Sequence, residues 1–223
     1  MSGINFVSPG VQTPTASSGS SSVGTITITY SPVAGNYVVI GIATNTATTT
    51  ITCTDNNSNA LTLVSSSNPG NTVFTYLFEG IAQASATSYT VTLSPSRKCA
   101  AVLAEYSGGS SLSNLGVYAT GGIYPATLTV SSLAVANGWV IGAVATVDGA
   151  ITYTSVQGNV REQIALGSST VAICIGDNTG PTAGNAVSFE TTFSGVLNWD
   201  FVGFELDPLV ATGYAGLITY IGP

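Results

Sequence analysis

Charged side chains are scarce in this chain, and basic ones are almost absent. Only 6% of its 223 residues are Asp, Glu, Lys or Arg, against about 25% in an ordinary soluble domain. The basic residues are Arg97, Lys98 and Arg161, and the net charge is −7. Binding to nucleic acid or to anionic lipid requires clusters of Lys and Arg. We therefore expect neither as a partner.

Histidine is absent and cysteine is rare. Without histidine, Ser-His-Asp and Cys-His catalysis in their usual forms are excluded, as are zinc sites of the Cys/His type. The three cysteines are Cys53, Cys99 and Cys174, and an odd number cannot all pair within one chain. We interpret them as small buried apolar residues. A Cys53–Cys99 disulfide is an alternative that the sequence leaves open.

Long apolar runs and helical patterns are also lacking. No segment holds about 20 uninterrupted apolar residues, so no membrane-spanning helix and no membrane insertion are expected. The start, MSGINFVSPG, has no basic region followed by an apolar run, so it does not resemble a secretory signal peptide. No window of ten or more residues has a capped helical period, and we expect almost no helix.

Short segments rich in β-branched and aromatic residues are what the chain does have, and they predict strands. Gly, Pro, Asn and Ser separate them, as turns require. The segments YVVIGIA (Tyr37–Ala43) and CAAVLAEY (Cys99–Tyr106) are almost entirely apolar, which predicts central strands that contact apolar groups on both faces. Further predicted strands are Thr25–Tyr30, Thr50–Thr54, Ala60–Val64, Thr72–Glu79 and Ser88–Leu93.

The chain also repeats itself about 100 residues later. AGNYVVIGIAT from Ala34 is echoed by ANGWVIGAVAT from Ala136, and CAAVLAEYS is echoed by WDFVGFELD, which places Glu105 on Glu205. Two shorter blocks, ITCT with ITYT and TVFTYLF with TVAICIG, fall at nearly the same offset. Four blocks in register indicate two related halves, residues 24–107 and 126–207.

Two tandem small sandwiches or one larger sandwich would explain such halves. A half of about 80 residues has a thin core and several exposed strand edges. A jelly roll packs two sheets built from two Greek keys and so reduces the exposed edges. We therefore predict an all-β fold: a single jelly-roll-like β-sandwich over residues 24–207, built from two pseudo-repeated halves, with N- and C-terminal extensions.

The two extensions differ in character. Residues 1–23 hold a short strand candidate and a Ser/Thr-rich segment, whereas residues 208–223 form an apolar arm without a charged side chain. The large side chains of this arm are costly to leave in water, at about 1.5–3 kcal/mol each. The arm is either a further strand or strap on its own sandwich, or a segment that docks on a neighbouring subunit. The predicted interface residues are Leu209, Val210, Tyr214, Leu217, Ile218, Tyr220 and Ile221.

Two groups of oxygen-bearing side chains are candidate sites. In DNNSN, Asp55, Asn57 and Asn59 place oxygen ligands at alternate positions, which makes calcium a candidate, although Asp and Asn in a hairpin turn also bond their own backbone. No other cofactor is expected. Glu105 and Glu205, on equivalent strands, are the best acid pair for a glycosidase, and Glu79 and Glu190 are weaker candidates. No catalytic motif accompanies them, so we predict that the protein is not an enzyme.

Three stretches together resemble a known kind of module. TITYSPVAGNYVVIGIAT, TCTDNNSNALTLV and VLAEYSG are similar to a β-sandwich module, jelly-roll or concanavalin-like, of phage virion proteins and bacterial surface proteins. The last predicted strand, WDFVGFELDP, resembles the closing strand of those modules. The likeness covers roughly residues 24–208. It implies adhesion, display or assembly, and it brings no catalytic residue to this chain.

We conclude from the sequence that this is a non-enzymatic structural protein that self-assembles through sheet edges and terminal arms. The expected setting is a virion or an extracellular surface, as a virion decoration, a tail component or a surface filament. Copies of itself are the expected partners, with other virion or surface proteins as further candidates. The alternatives are a carbohydrate-binding adhesion module, which would bind glycans through exposed tyrosines, and a jelly-roll glycosidase.

Overall fold

The fold consists of strands joined by turns. A computed structural model describes residues 3–10, 12, 14–19, 21–67, 73–122, 125–147, 152–164, 171–193 and 198–209. Within these ranges the chain forms seventeen β-strands and no helix. The prediction of an all-β protein is confirmed.

The strands follow the two halves of the sequence. Two short strands come first, β1 (Asn5–Val7) and β2 (Thr15–Ser17). The first half contains β3 (Val23–Thr29), β4 (Tyr37–Thr44), β5 (Thr50–Asp55), β6 (Thr62–Ser67), β7 (Phe74–Ile81), β8 (Ser88–Arg97) and β9 (Cys99–Ser107). A long strand, β10 (Gly109–Gly121), leads to the second half, with β11 (Ala126–Val130), β12 (Trp139–Val147), β13 (Tyr153–Gln157), β14 (Asn159–Ile164), β15 (Val171–Thr179), β16 (Val187–Phe193) and β17 (Trp199–Pro208).

Each half has the same arrangement of two sheets. In the first half an outer sheet has the order β3-β8-β5 and an inner sheet the order β9-β4-β7-β6. In the second half the outer order is β11-β16-β13 and the inner order β17-β12-β15-β14. Strands β1 and β2 extend the first inner sheet beside β9, and β10 extends the second beside β17, all antiparallel. The repeat in the sequence is therefore a repeat in topology.

The four sheets stack in layers around three apolar cores. One core lies between the two sheets of the first half, a second between the two sheets of the second half, and the third between the two inner sheets. In β4, Ile40 and Ile42 enter the first of these cores, whereas Val39 and Ala43 enter the central one. The continuous apolar strands are thus buried on both faces, as the sequence predicts.

The predicted sandwich of two related halves is confirmed, but the two-sheet jelly roll is not. The expectation assumed that each half is too small to close its own core. Each half instead closes a seven-stranded sandwich, and the central core supplies the additional burial. The two halves approach closely there: a Cβ on Gly41 would lie 2.8 Å from Cβ of Ala143. Small residues at this position allow the inner sheets to meet.

The contact between Thr75 and Asp200 is a fully buried polar contact between the halves. The backbone N–H of Thr75 in β7 donates to Oδ2 of Asp200 in β17 at 3.0 Å, and the Thr75 hydroxyl donates to the Asp200 carbonyl at 3.0 Å. Neither residue is exposed to solvent. Burial raises the pKa of the Asp200 carboxyl to about 6, although its hydrogen bonds act in the opposite direction.

The raised pKa of Asp200 predicts that acid stabilises the fold through this residue. Between its ordinary pKa of 3.8 and about 6, the folded protein holds a proton that the unfolded chain releases. This residue's contribution to the free energy of unfolding should therefore increase as pH falls from about 6 to about 4, by at most roughly 3 kcal/mol. Urea unfolding at several pH values measures the slope for the parent protein and for Asp200→Asn.

Burial raises the pKa of Glu162 to about 7, and this residue contributes to the pH dependence of both proteins in the same sense. The difference between the two slopes of unfolding free energy against pH therefore reports Asp200 alone. The variant should have a flatter slope between pH 4 and pH 6. An equal slope in both proteins would show that Asp200 binds protons alike in the folded and unfolded states.

Candidate functional site

The predicted calcium ligands form a hydrogen-bonded turn. Oδ1 of Asp55 accepts hydrogen bonds from the backbone N–H groups of Asn57, at 2.8 Å, and Asn59, at 2.9 Å. Oδ2 accepts from the side-chain amide of Asn59 at 2.8 Å. Burial alone would raise the pKa of Asp55, but the Asn59 side chain and these backbone amides hold it below its usual range. These hydrogen bonds thus already satisfy the Asp55 carboxylate without a cation.

This geometry favours the turn over a calcium site. The N–H groups point at the carboxylate oxygens that a cation would need. In the parts of the chain that the structure describes, no group of three or more His, Cys, Asp or Glu side chains is placed to hold a metal ion. The role that the contacts support for Asp55, Asn57 and Asn59 is to close the connection after β5.

Glu105, near the end of β9, is buried and holds a loop of its own half. Its Oε2 accepts a hydrogen bond from the hydroxyl of Tyr30 at 2.7 Å. Its Oε1 accepts from the backbone N–H of Val33 at 2.9 Å and from the side-chain amide of Asn36 at 2.5 Å. All three donors belong to the connection between β3 and β4. The carboxylate therefore satisfies polar groups that this loop would otherwise leave unpaired.

Glu205 does the same at the equivalent place in the second half. It is fully buried near the end of β17. The backbone N–H of Ala134 donates to its Oε2 at 2.8 Å, and the N–H of Val135 donates to its Oε1 at 3.2 Å. The side-chain amide of Asn114 in β10 supplies a further bond at 2.5 Å. Glu205 thus holds the connection between β11 and β12 as Glu105 holds the connection between β3 and β4.

The two glutamates therefore do not form a shared acid pair in these contacts. They lie in different inner sheets and have no hydrogen-bond partner in common. The weaker candidates stand apart as well, since Glu79 lies in β7 and Glu190 in β16, where it accepts a hydrogen bond from Thr127. Glu105 and Glu205 are equivalent because each supports a loop of its own half, and not because they form a catalytic pair.

The three cysteines are free and buried, and no disulfide joins Cys53 to Cys99. Burial raises the pKa of the Cys53 thiol to about 12 and that of Cys99 to about 11. Burial also raises the pKa of Cys174. The thiolate is the reactive form of cysteine, so none of the three is suited to be a nucleophile or a ligand.

A cavity of about 680 Å³ lies at one end of the second half. Its walls include Ile4 from the N-terminal segment, Trp139 at the start of β12, and Pro208 and Leu209 at the end of β17. The described residues that line it include no charged side chain. Its size lies within the range of small-molecule sites in proteins, about 300–1,000 Å³.

A charged cluster contacts Trp139, which lines this cavity. Arg161 in β14 donates to both carboxylate oxygens of the buried Asp177, at 2.6 and 2.9 Å. Its guanidinium lies 4.8 Å from the ring centre of Phe6 and 5.7 Å from that of Trp139. The hydroxyl of Tyr106 in β9 donates to Asp177 at 3.0 Å. The cluster thus joins the N-terminal strand and both halves.

Sequence reasoning missed this cluster and the cavity beside it. Arg161 is one of three basic residues in the chain, and this rarity is the sequence signal that marks it as a candidate. Asp177 lies on the neighbouring strand β15, but Phe6 and Tyr106 are distant from Arg161 in the chain, and no spacing links them to it. The contacts satisfy the cluster internally, since cation, carboxylate and hydroxyl bond one another. We therefore assign it to holding the end of the molecule together rather than to chemistry.

The predicted interface residues of the C-terminal arm fall mostly outside the described residues. Val210, Tyr214, Leu217, Ile218, Tyr220 and Ile221 all belong to residues 210–223, which the structure does not describe. Leu209 is described: its side chain is 55% exposed, and its N–H donates to the carbonyl of Gly108 at 2.7 Å. Leu209 therefore lies at the wall of the cavity.

The loop contacts of Glu105 predict a large loss of stability on truncation. In Glu105→Ala the buried hydroxyl of Tyr30 loses its acceptor, which should cost about 1–3 kcal/mol, and the part-buried N–H of Val33 loses its acceptor as well. Glu105→Gln keeps an acceptor oxygen and should lose less. Denaturant unfolding gives both values. Glu190→Ala is the matched control, since its partner Thr127 is partly exposed and can bond water; an equal loss in that variant would contradict the role given to Glu105.

Comparison with known proteins leaves the function to be argued from this geometry. No protein-family model matches the chain, and no curated protein sequence matches it. The described residues also form no helix that is long and apolar enough to cross a membrane.

Proposed function

We propose that the protein is a non-enzymatic structural subunit that assembles with copies of itself through the edges of its sheets. The setting is a virion, as a decoration or tail component, or a surface filament. The observation that carries the proposal is the composition of four of the edge strands, whereas the edge strands β5 and β14 do contain charged residues. Strands β3, β10, β11 and β13 each end a sheet among the described residues, and none contains Asp, Glu, Lys, Arg or Pro.

Edge strands of this kind promote aggregation in a protein that functions as a monomer. An edge strand presents unpaired N–H and C=O groups, and soluble proteins commonly protect it with charge or proline. Strand β10 has thirteen residues and carries the exposed side chains of Leu115 and Tyr118. Strand β13 carries exposed Val156. Pairing between copies would cover both the backbone groups and these apolar side chains.

The rest of the molecule supports an assembly role over catalysis. The carboxylates of Glu105 and Glu205 are committed to loops, and the three cysteines are buried. The contacts thus supply no observation in favour of the jelly-roll glycosidase. Only three residues are Lys or Arg, which leaves few cleavage sites for trypsin-like proteases. That scarcity suits a protein exposed on a virion or on an extracellular surface, where the resemblance noted from the sequence also points.

A second candidate is a carbohydrate-binding adhesion module, and the cavity beside Trp139 is the observation that favours it. An aromatic side chain beside the polar groups of Asn137 and Thr179 is a suitable wall for a sugar ring. Tyr118 is 67% exposed and could add a platform, whereas Tyr153 is buried and cannot.

Light scattering over a wide range of concentration tests the first proposal. The full chain should show a mass that exceeds 22.4 kDa and grows with concentration. Tyr118→Lys and Val156→Lys place a charge on an edge strand, and each should raise the concentration needed for association at least tenfold, a difference of about 1.4 kcal/mol. Val33→Lys is the matched control, because Val33 is equally exposed but lies in a loop.

A constant mass near 22.4 kDa at every concentration would contradict self-assembly. Retention of that monomer on a glycan array, lost in Trp139→Ala, would favour the carbohydrate-binding candidate. Association that Val33→Lys weakens as much as Tyr118→Lys would show that charge alone, and not the sheet edge, controls it.

A further inference from the structure

Three buried side-chain oxygens have no hydrogen-bond partner among the described residues and belong to facing strands of the two halves. They are Oγ of Ser65 and Oγ of Ser67, both in β6, and Oδ1 of Asp200 in β17. The three residues are 5%, 4% and 0% exposed. A buried polar atom that stays unpaired costs free energy, so three such atoms at one place indicate that a further group satisfies them.

Strand pairing brings the three oxygens together. Ser67 is paired with Thr75 across β6 and β7, and the backbone N–H of Thr75 donates to the other carboxylate oxygen of Asp200. Burial raises the pKa of Asp200, and the hydroxyl of Ser67 acts in the opposite direction, which places this hydroxyl beside the carboxylate. Ser65 lies two positions earlier on the same face of β6, opposite Leu77 of the central core. The three oxygens therefore border one polar site between the inner sheets.

The charge of this site is not balanced by a basic side chain. The salt bridge within the described residues joins Arg161 to Asp177 and does not involve Asp200. A carboxylate and two hydroxyls are hard oxygen ligands, which suit alkali and alkaline-earth cations better than zinc or copper. Calcium sites gain affinity from the number of their charged ligands, whereas a single carboxylate balances the charge of a monovalent cation.

We propose that a monovalent alkali cation of the size of sodium binds between the two halves, with Oδ1 of Asp200 and the hydroxyl oxygens of Ser65 and Ser67 as its ligands. The cation satisfies all three oxygens. It also joins β6 of the first half to β17 of the second, beside the direct contact of Thr75 with Asp200. This proposal does not depend on self-assembly, since it concerns a site within one chain.

Thermal unfolding of the full chain in different chloride salts tests the site. At equal ionic strength, sodium chloride should raise the midpoint by about 2–4 °C over choline chloride, because an ion that binds only the folded state stabilises that state. Choline is too large for a buried site, and it controls for the screening of surface charges. The protein is kept at one dilute concentration, so that association of copies contributes equally in both salts.

Substitutions of the ligands should abolish this difference between the salts. Asp200→Asn removes the charge, and the double variant Ser65→Ala and Ser67→Ala removes both hydroxyls. Each should unfold at the same midpoint in sodium chloride and in choline chloride. Ser66→Ala is the matched control, because Ser66 lies between the two ligands on the exposed face of β6, and it should keep the full difference. Each comparison is made within one variant, so a general loss of stability does not affect it.

Thallium(I), which replaces alkali cations and scatters X-rays anomalously, provides a direct location. In crystals of the full chain its anomalous peak should lie within bonding distance of Oδ1 of Asp200. A peak at another place, or none, would contradict the site.

The salt series also has outcomes that would overturn the proposal. Equal midpoints of the full chain in sodium chloride and choline chloride would do so, and an ordered water would then be the group that satisfies the three oxygens. A sodium effect that persists in Asp200→Asn would place the ion elsewhere. Loss of the effect in Ser66→Ala would show that it does not depend on the buried face of β6.

Discussion

The structure depends on the burial of two sheets on both of their faces. Strands β4 and β9 in one half, and β12 and β17 in the other, send alternate side chains into a core of their own half and into the central core. The hydrophobic effect is proportional to the apolar area removed from water, so a sheet covered twice contributes about twice as much. Small residues such as Gly41 and Ala143 are required where the inner sheets meet.

This constraint determines where polar groups can stand. Every buried carboxylate in a dry interior must have compensating partners, and those of Glu105, Asp177 and Glu205 have several each. With so few charges in the chain, most of the acidic groups in the cores are occupied in holding loops or in joining halves. What is left for interaction with other molecules is the uncharged periphery: the edges formed by β3, β10, β11 and β13, and the cavity beside Trp139.

The two halves differ at the end where Trp139 lies. The glutamate that holds the loop before the central strand is present in both, as Glu105 and Glu205. The cluster of Arg161 with Asp177 belongs to the second half, where it meets Phe6 from the N-terminal segment. Both ends of the described chain reach this region. A duplicated sandwich has thus acquired an asymmetric end, where the cavity beside Trp139 lies.

The sequence alone determined the all-β class, the two related halves and the doubly buried strands, because alternation and repetition are local patterns. The turn at Asp55 and the buried state of the cysteines could also be predicted, because short-range hydrogen bonding and side-chain size depend only on residues close together in the chain. Only the tertiary structure decided that each half closes its own sandwich, that Glu105 and Glu205 support loops, and that Trp139 lines a cavity and contacts Arg161. Those outcomes depend on which sheets pack against each other and on contacts between residues separated by about 70 to 150 positions. No spacing in the sequence predicts such contacts.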